Sequence, residues 1–496
     1  MDAHALTRSA GRGALWQLVG AGAQTVIQLG ASAVLARVLF PSDFGIMGMA
    51  LLAQSLVGRM GALGTSAGLI AKKDVTQEDL STAFWTGVAV HGTLFALAFA
   101  GAPLAALFFE TPSVTWVLRA MSFTFLFTAA GSVSGAILRK RLQFGGLKAI
   151  EVAAFALQSA LAIVFAVVFG LGYWSLVCAM LIAGFGQTAA GILYARWRPS
   201  LRFSRSSFRF MFRYGINELG SSVVQYFQYN TDYILVGRIL GPGLLGLYEF
   251  AYRIPHMLLD RLALPVGSVL FPALSKVQTD DERLAGGYIK AAKYIAIIVF
   301  PLLGGLAALA HPAVAVLWGE KWLPIVLPLQ VLCLSAAIRC VMTSSAAIFL
   351  CRNRPDLPFK FGLGQMALTF AAVGALGYAF GLNGVALGMV ISTGASVYVT
   401  YFALRMVHCP FRRLFRALWG PLAATVGCVA AAAGMRLSGE ALHLPDWGIL
   451  ASSVPVGALA YIGILVVWFP DQVKEVWATV RLTLGKPAVT QPVSHT

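Results

Sequence analysis

Arg37-Val38-Leu39-Phe40-Pro41-Ser42-Asp43-Phe44-Gly45 closes one long apolar run and opens the next, and Arg238-Ile239-Leu240-Gly241-Pro242-Gly243-Leu244-Leu245-Gly246 does the same 201 residues later. In both stretches an arginine ends an apolar segment, a proline starts the following helix, and a glycine stands four residues beyond the proline. Two more pairs keep the order. Pro103-Leu104-Ala105-Ala106-Leu107 recurs as Pro312-Ala313-Val314-Ala315-Val316 at an offset of 209, and Phe169-Gly170-Leu171 as Phe380-Gly381-Leu382 at 211. The offset grows slowly, as loop insertions make it. Six apolar segments separate the copies. An even number preserves direction through a membrane, so the repeat is parallel, about an axis along the membrane normal, as in many secondary transporters.

Composition agrees with a membrane chain. Of 496 residues only 11% are charged and 58% are hydrophobic, and the mean hydropathy is +0.77. A soluble domain carries roughly 25% charged residues, so this chain cannot clothe water-facing domains of its length. The six cysteines show no metal-ligand spacing and read as small packing residues. No cleavable leader is expected, because the apolar stretch from about 14 to 40 is too long for a signal core and long enough to span.

Runs of about 20 apolar residues predict an all-α polytopic protein of fourteen transmembrane helices, near 14–38, 43–67, 80–108, 114–138, 147–169, 173–195, 210–238, 243–271, 288–312, 323–350, 359–380, 383–404, 416–435 and 446–469. The expected organisation is a cytoplasmic N-terminus (1–13), a six-helix lobe (14–195), a basic cytoplasmic linker (196–209), a second six-helix lobe (210–404), two additional helices (405–469) and a cytoplasmic tail (470–496). Loop charge sets the orientation. The termini and the loops 68–79, 139–148, 196–213, 272–293, 351–360 and 405–416 hold 28 of the 37 Lys and Arg residues, and the opposite set of loops holds four. Positive loops stay cytoplasmic, so both termini should face that side. The net charge of +17 then needs no nucleic acid. Arg196, Arg198, Arg202, Arg205, Arg209 and Arg213 read as an anchor on anionic lipid.

Charges within the spans carry the functional reading. A charge at the bilayer centre costs about 2.5–3.5 kcal/mol even on the lenient insertion scale, so it should face water or a partner. Glu249, Arg253, His256 and Asp260 share one face of the eighth span, with Glu249–Arg253 and His256–Asp260 at i,i+4 spacing. Pro255 breaks the same stripe, and Arg261 follows it. Glu218, Gln225 and Asp232 share a face of the seventh span, and the repeat maps Gln17 onto Glu218 and Gln24 onto Gln225. Arg59 and Arg339 lie inside the second and tenth spans. The same stripes also fit a self-neutralised seam that only locks helices together. Arg119 reads as a snorkelling residue, Glu151 as solvated near a helix end and His91 as a satisfied packing residue.

Catalytic signatures are missing: no HExxH, P-loop or GxSxG occurs. Gly184-Phe185-Gly186-Gln187-Thr188-Ala189 and Gly362-Leu363-Gly364-Gln365-Met366-Ala367 satisfy GxGxxA, but no strand precedes either. They read as small-residue helix contacts, as do Gly131–Gly135 and Gly384–Gly388. The chain reads as a non-enzyme with no metal and no cofactor.

The stretch 35–45, together with Thr231-Asp232-Tyr233-Ile234-Leu235-Val236-Gly237-Arg238, Leu245-Gly246-Leu247-Tyr248, Ala251-Tyr252-Arg253 and Val269-Leu270-Phe271-Pro272-Ala273-Leu274-Ser275-Lys276, resembles the polysaccharide transporter (Wzx-type) flippases of the multidrug/oligosaccharidyl-lipid/polysaccharide exporter superfamily. The likeness runs over roughly residues 10–405. It implies two six-helix lobes around a central cavity. It also implies an oligosaccharide on a polyprenyl diphosphate as substrate, moved from the cytoplasmic to the periplasmic leaflet of a bacterial inner membrane by alternating access. Coupling to protons or sodium is implied too, with polysaccharide polymerase and export proteins as partners.

The family pattern fixes no binding residue, so the site expectations come from the polar spans. Arg59, Arg253, Arg261 and Arg339 are expected to meet the diphosphate, because arginine presents fixed forks to phosphate oxygens. Gln17, Gln24 and Gln225 are expected to meet sugar hydroxyls, and Glu218, Asp232, Glu249, His256 and Asp260 to couple ions or pair charges. A cation-coupled exporter of small amphipathic compounds is the alternative, and it predicts acids dominating over arginines. A membrane polymerase or ligase predicts a sizeable extracytoplasmic loop, and a scaffold protein predicts uncharged spans.

Overall fold

The computed structural model describes residues 3–62, 69, 75–141 and 143–475. The described chain is overwhelmingly helical, with no strand. The helices are α1 (Ala3–Val38), α2 (Pro41–Arg59), α3 (Gln77–Phe108), α4 (Ser113–Lys140), α5 (Phe144–Val167), α6 (Tyr173–Ala195) and α7 (Arg205–Leu258). After a π-helical turn at Leu259–Ala263 come α8 (Leu264–Ser275), α9 (Asp281–Ala308), α10 (Ala310–Leu317), α11 (Val326–Met342), α12 (Ala346–Cys351), α13 (Asp356–Met406), α14 (Phe411–Ala441) and α15 (Asp446–Trp468). Eleven of the described helical stretches are long and apolar enough to cross a membrane. The protein is therefore a multi-pass membrane protein, since helices satisfy their own backbone in lipid.

Local chemistry sets the helix ends. Pro41 starts α2, where a missing N–H costs nothing, and the Asp43 carboxylate accepts from the Phe40 amide at 2.9 Å. Thr76 caps α3 reciprocally: its hydroxyl accepts from the Asp79 amide at 3.2 Å, and Asp79 accepts from the Thr76 amide at 2.9 Å. The two longest helices are broken from within. In α7 the break is Gly241 (φ 76°, ψ −178°), and in α13 it is Gly381 (φ 60°, ψ −139°). Both backbones lie in the left-handed half of φ space, which favours glycine.

Contacts divide the chain into two compact units, Met1–Glu249 and Phe250–Thr496. In the first, α3 packs on α4, α5 on α6, α1 on α5, α4 on α6 and α2 on α4. The α2 helix also crosses the 242–246 part of α7 at backbone contact. A Cβ on Gly45 would collide with the Pro242 carbonyl, and a Cβ on Gly246 with the Pro41 carbonyl. The two contacts are reciprocal.

Loops grouped together by charge also meet in space within this unit. Trp197 Nε1 donates to Gln77 Oε1 at 2.7 Å, and Gln77 Nε2 donates to the Arg198 carbonyl at 2.9 Å. Arg141 donates to the Ala195 carbonyl at 3.2 Å. Gln77, Arg141 and Trp197 therefore lie at one end of the unit.

In the second unit α9 packs on α14 and α11, α11 on α13, and α14 on α15. Leu284, Tyr288, Ala292, Phe349, Leu404 and Leu414 are fully buried there. Within α13 the segments on either side of Gly381 fold against each other. A Cβ on Gly388 would lie 2.8 Å from Val373 Cα, so the glycine spacing at 384 and 388 serves close backbone packing. Again the basic loops converge. Asp281 pairs with Arg352 and receives the His408 Nδ1 at 2.8 Å, and Glu282 pairs with Arg413 at 2.6 Å. After α15, Glu475 pairs with Lys293 and, at 3.6 Å, with Lys290. Cys333, Cys340, Cys351, Cys409 and Cys428 are buried, and all six cysteines are free.

Gly45→Ala and Gly246→Ala should each cost about 1–3 kcal/mol by overpacking, lowering the unfolding midpoint of the purified protein. The double variant should cost less than the sum, because both relieve the same crossing. Glu475 lies beyond the last span. Burial pushes its carboxyl up, but Lys293 and Lys290 outweigh burial and hold it below its ordinary value. Docking of residues 470–475 should therefore be constant from neutral pH down through the usual Glu range near 4.3, and be lost only as pH falls through the depressed value. Limited proteolysis against pH reads this, and Glu475→Gln should be cut readily at pH 7 as well.

Candidate functional site

The charged stripe after Glu249 forms a connected polar chain in the second unit. One turn apart on α7, Tyr252 stacks on His256, with ring centroids 4.7 Å apart and planes 29° apart. His256 Nε2 reaches Asp260 Oδ2 at 3.7 Å, the expected i,i+4 pair. From α11, Arg339 donates to the Tyr252 hydroxyl at 3.1 Å. Tyr252, His256 and Arg339 flank a narrow cleft that Pro255 and Ser335 also line. Asp260 itself lies in the π turn Leu259–Ala263, a distortion that often accompanies functional positions. Arg253 stands over the Phe250 ring at 4.6 Å. Phe250 is itself fixed against Trp318 and Trp322, with centroids 5.0 and 4.0 Å away. A cation over an aromatic face is held there by the ring quadrupole. Arg261 is exposed.

The first unit holds the other expected residues. Asp232 is 3% exposed, and the Tyr248 hydroxyl donates to it at 2.6 Å. Glu249 faces α2, where a Cβ on Gly48 would lie 3.6 Å from its Oε2. Tyr226 donates to the Leu52 carbonyl at 2.8 Å across the α2–α7 crossing. Arg59 is the last residue of α2 and is half-buried. Gln17 and Gln225 are exposed on α1 and α7. The Glu218 side chain lies outside the described residues. Arg119 reaches over the rings of Phe99 and Trp116, at 5.2 and 5.1 Å.

Gln24 has company that its spacing did not announce. Lys148, at 9% exposure, donates to Gln24 Oε1 at 3.3 Å and pairs with Glu151 at 3.0 Å. The three border a cavity of about 710 Å³ among α1, α4, α5 and α6, which His91, Gln158 and Gln187 also line. His91 is buried and its Nδ1 donates to the Gly87 carbonyl at 2.9 Å, so it is satisfied as well as lining. Sequence reading placed Lys148 among loop charges and Glu151 in solvent. The signal present was the i,i+3 spacing of Lys148 and Glu151. Among the described residues, no three His, Cys, Asp or Glu side chains are arranged to hold a metal ion.

The Asp232–Tyr248 contact is open to test. Tyr248→Phe leaves a buried carboxylate one donor short and should cost about 1–3 kcal/mol. Asp232→Asn combined with Tyr248→Phe should cost less than the two single changes added, measured as unfolding midpoints.

The similarities of this chain agree with its geometry. Teichuronic acid biosynthesis protein TuaB of Bacillus subtilis (strain 168) is 27% identical over 497 residues, covering 96% of this chain and 99% of that one. Lipopolysaccharide biosynthesis protein WzxC of Escherichia coli (strain K12) is 27% identical, covering 86% and 88%. In fold, the chain is similar to the lipid II flippase MurJ in an inward closed conformation, with a TM-score of 0.74 at 14% identity over 93% of this chain and 99% of that one. The sequence profile of the polysaccharide biosynthesis protein family matches residues 34–327, well over half of the chain, and the protein belongs to that family.

Proposed function

We propose that this protein flips an oligosaccharide repeat unit, carried on a polyprenyl diphosphate, from the cytoplasmic to the periplasmic leaflet of a bacterial inner membrane. The observation that carries the reading is double similarity along nearly the whole chain. Its sequence follows proteins named for teichuronic acid and lipopolysaccharide biosynthesis, and its fold follows a lipid II flippase. Transport runs by alternating access and involves no enzyme chemistry. Its energy comes from a proton or sodium gradient.

Counting each glycine-broken helix as two spans, with α2 as a further one, brings the eleven long apolar stretches to fourteen. An even number puts both termini on one side, and the loop charges make that side the cytoplasm. The reciprocal Gly45–Pro242 and Gly246–Pro41 contacts support the parallel repeat, since the same positions of both copies meet each other. Arg339 and Arg253 are the cations we assign to the diphosphate. Each is held in position by an aromatic side chain, and guanidinium keeps its charge throughout the physiological pH range. His256 and Asp260, joined to Arg339 through Tyr252, are the groups we assign to ion coupling or charge pairing.

The test is deletion of the gene. Surface polysaccharide should be lost, and its lipid-linked unit should accumulate in the cytoplasmic leaflet, inaccessible to a lectin added to intact spheroplasts. Complementation with Arg253→Ala or Arg339→Ala should restore polysaccharide about 10–100-fold less well than the parent, the scale of one lost charge-assisted hydrogen bond, at equal membrane abundance. Normal surface polysaccharide in the deletion strain overturns the proposal. Full rescue by both variants removes those arginines from the path.

A further inference from the structure

The cavity in the first unit is built for a ligand that none of the expected site residues, Gln24 apart, was chosen to meet. Lys148 projects from the start of α5 toward Gln24 of α1, and its stem runs across Gly20. A Cβ at Gly20 would lie 2.6 Å from Lys148 Cγ and Cε, so glycine there leaves the channel that the lysine occupies. A lysine taken this far from water is stabilised only by good partners, and here it has one carboxylate, Glu151, and one amide oxygen, Gln24. Arg139 stands exposed on the same lining. The charged groups of the wall are thus two cations and one carboxylate, a net charge of about +1 that suits a monoanion.

The rest of the wall is neutral and rich in hydrogen-bonding groups. The side-chain amides of Gln158 and Gln187 have no partner among the described residues and offer donors and acceptors to a guest. The Thr128 and Ser132 hydroxyls donate to backbone carbonyls one turn back, at 2.9 and 3.1 Å, leaving their oxygens as acceptors. An acyl chain in this space would strand these groups without water or partners. A polyhydroxylated guest satisfies them. The volume falls within the range of small-ligand sites, roughly 300–1,000 Å³.

We propose that this cavity is a glycan subsite selective for a sugar carrying one carboxylate. Lys148 is its anchor, and Glu151 is a resident competitor displaced when the sugar acid enters. Gln24, Gln158 and Gln187 read the hydroxyls. The proposal rests on the reading that the cargo is a glycan and adds the class of sugar.

The test measures equilibrium binding of two free disaccharides, cellobiouronic acid and cellobiose, to the purified full chain by calorimetry. The parent should prefer the acid by about ten-fold or more. Glu151→Gln releases the lysine and should tighten acid binding several-fold without affecting cellobiose. Lys148→Gln should abolish the preference, bringing acid affinity down to that of cellobiose in the same variant. Should that variant fold poorly because Glu151 is stranded, Lys148→Gln with Glu151→Gln removes both charges and should bind the two sugars equally. Gln158→Leu with Gln187→Leu should weaken both sugars.

Equal affinity of the parent for acid and neutral sugar, binding of neither, or a preference that survives loss of Lys148 overturns the proposal. So does competitive displacement of the acid by phosphatidylglycerol in mixed micelles, which would assign the lysine to a lipid headgroup. These outcomes are separable from failure of the flipping reading. That reading falls if the deletion strain keeps its surface polysaccharide, whatever the disaccharides do. The subsite alone falls if the deletion phenotype holds and the binding preference is absent.

Discussion

Where α2 crosses the second part of α7, two helices meet backbone to backbone. Gly45 lies against the Pro242 carbonyl and Gly246 against the Pro41 carbonyl, and no side chain fits between them. In lipid, apolar side chains gain little by leaving one apolar surface for another. Close backbone approach and its dispersion contacts therefore supply much of the specificity of helix association. This crossing fixes what surrounds it. It brings the Tyr226 hydroxyl to the Leu52 carbonyl, sets Glu249 beside Gly48, and lets Arg238 pair with Glu110. Each proline also starts its helix within four residues of the glycine, so one short motif both begins a helix and determines how closely it packs.

Around that frame, several charges in the apolar zone have company. Asp232 has Tyr248, Arg253 has the Phe250 face, Arg339 has Tyr252, His256 has Asp260, and Lys148 has Glu151 and Gln24. Tyrosine recurs for a physical reason. Its ring belongs in an apolar bundle, while its hydroxyl supplies one donor or acceptor at a fixed distance from the backbone. A tyrosine can therefore hold a charged group in place without adding a second charge that would itself need desolvating.

Much of this was written in local patterns. Apolar runs, loop charge and the turn residues at Gly241 and Gly381 located the helices and their breaks. The loops grouped by charge prove to be joined by hydrogen bonds and ion pairs within each unit, as at Gln77 with Arg198 and Asp281 with Arg352 and His408. The i,i+4 pair His256–Asp260 was legible because it needs only one helix. The cavity was not. It depends on how four helices fail to fill the space between them, and glycine spacing does not report that. Gly131 abuts Thr188, whereas Gly135 and Gly191 face open space, though all three look alike in sequence. Lys148 was hidden for the same reason. A basic residue in the first turn of a helix counts as a loop charge until the neighbouring helix is seen to cover it.

The two polar systems differ in what they permit. In the second unit Asp260 touches His256, His256 stacks on Tyr252 and Tyr252 meets Arg339, a chain of contacts beside a narrow cleft. In the first unit the Lys148–Glu151 pair stands at the edge of an open cavity. A pair packed on all sides resists exchange, because removing one partner strands the other in low dielectric. A pair on a cavity wall exchanges more readily, because an incoming anion takes the place of the outgoing one. Burial and openness together, more than charge alone, separate a residue that holds helices in register from one that holds a guest. By that criterion Asp232 belongs to the first kind and Lys148 to the second.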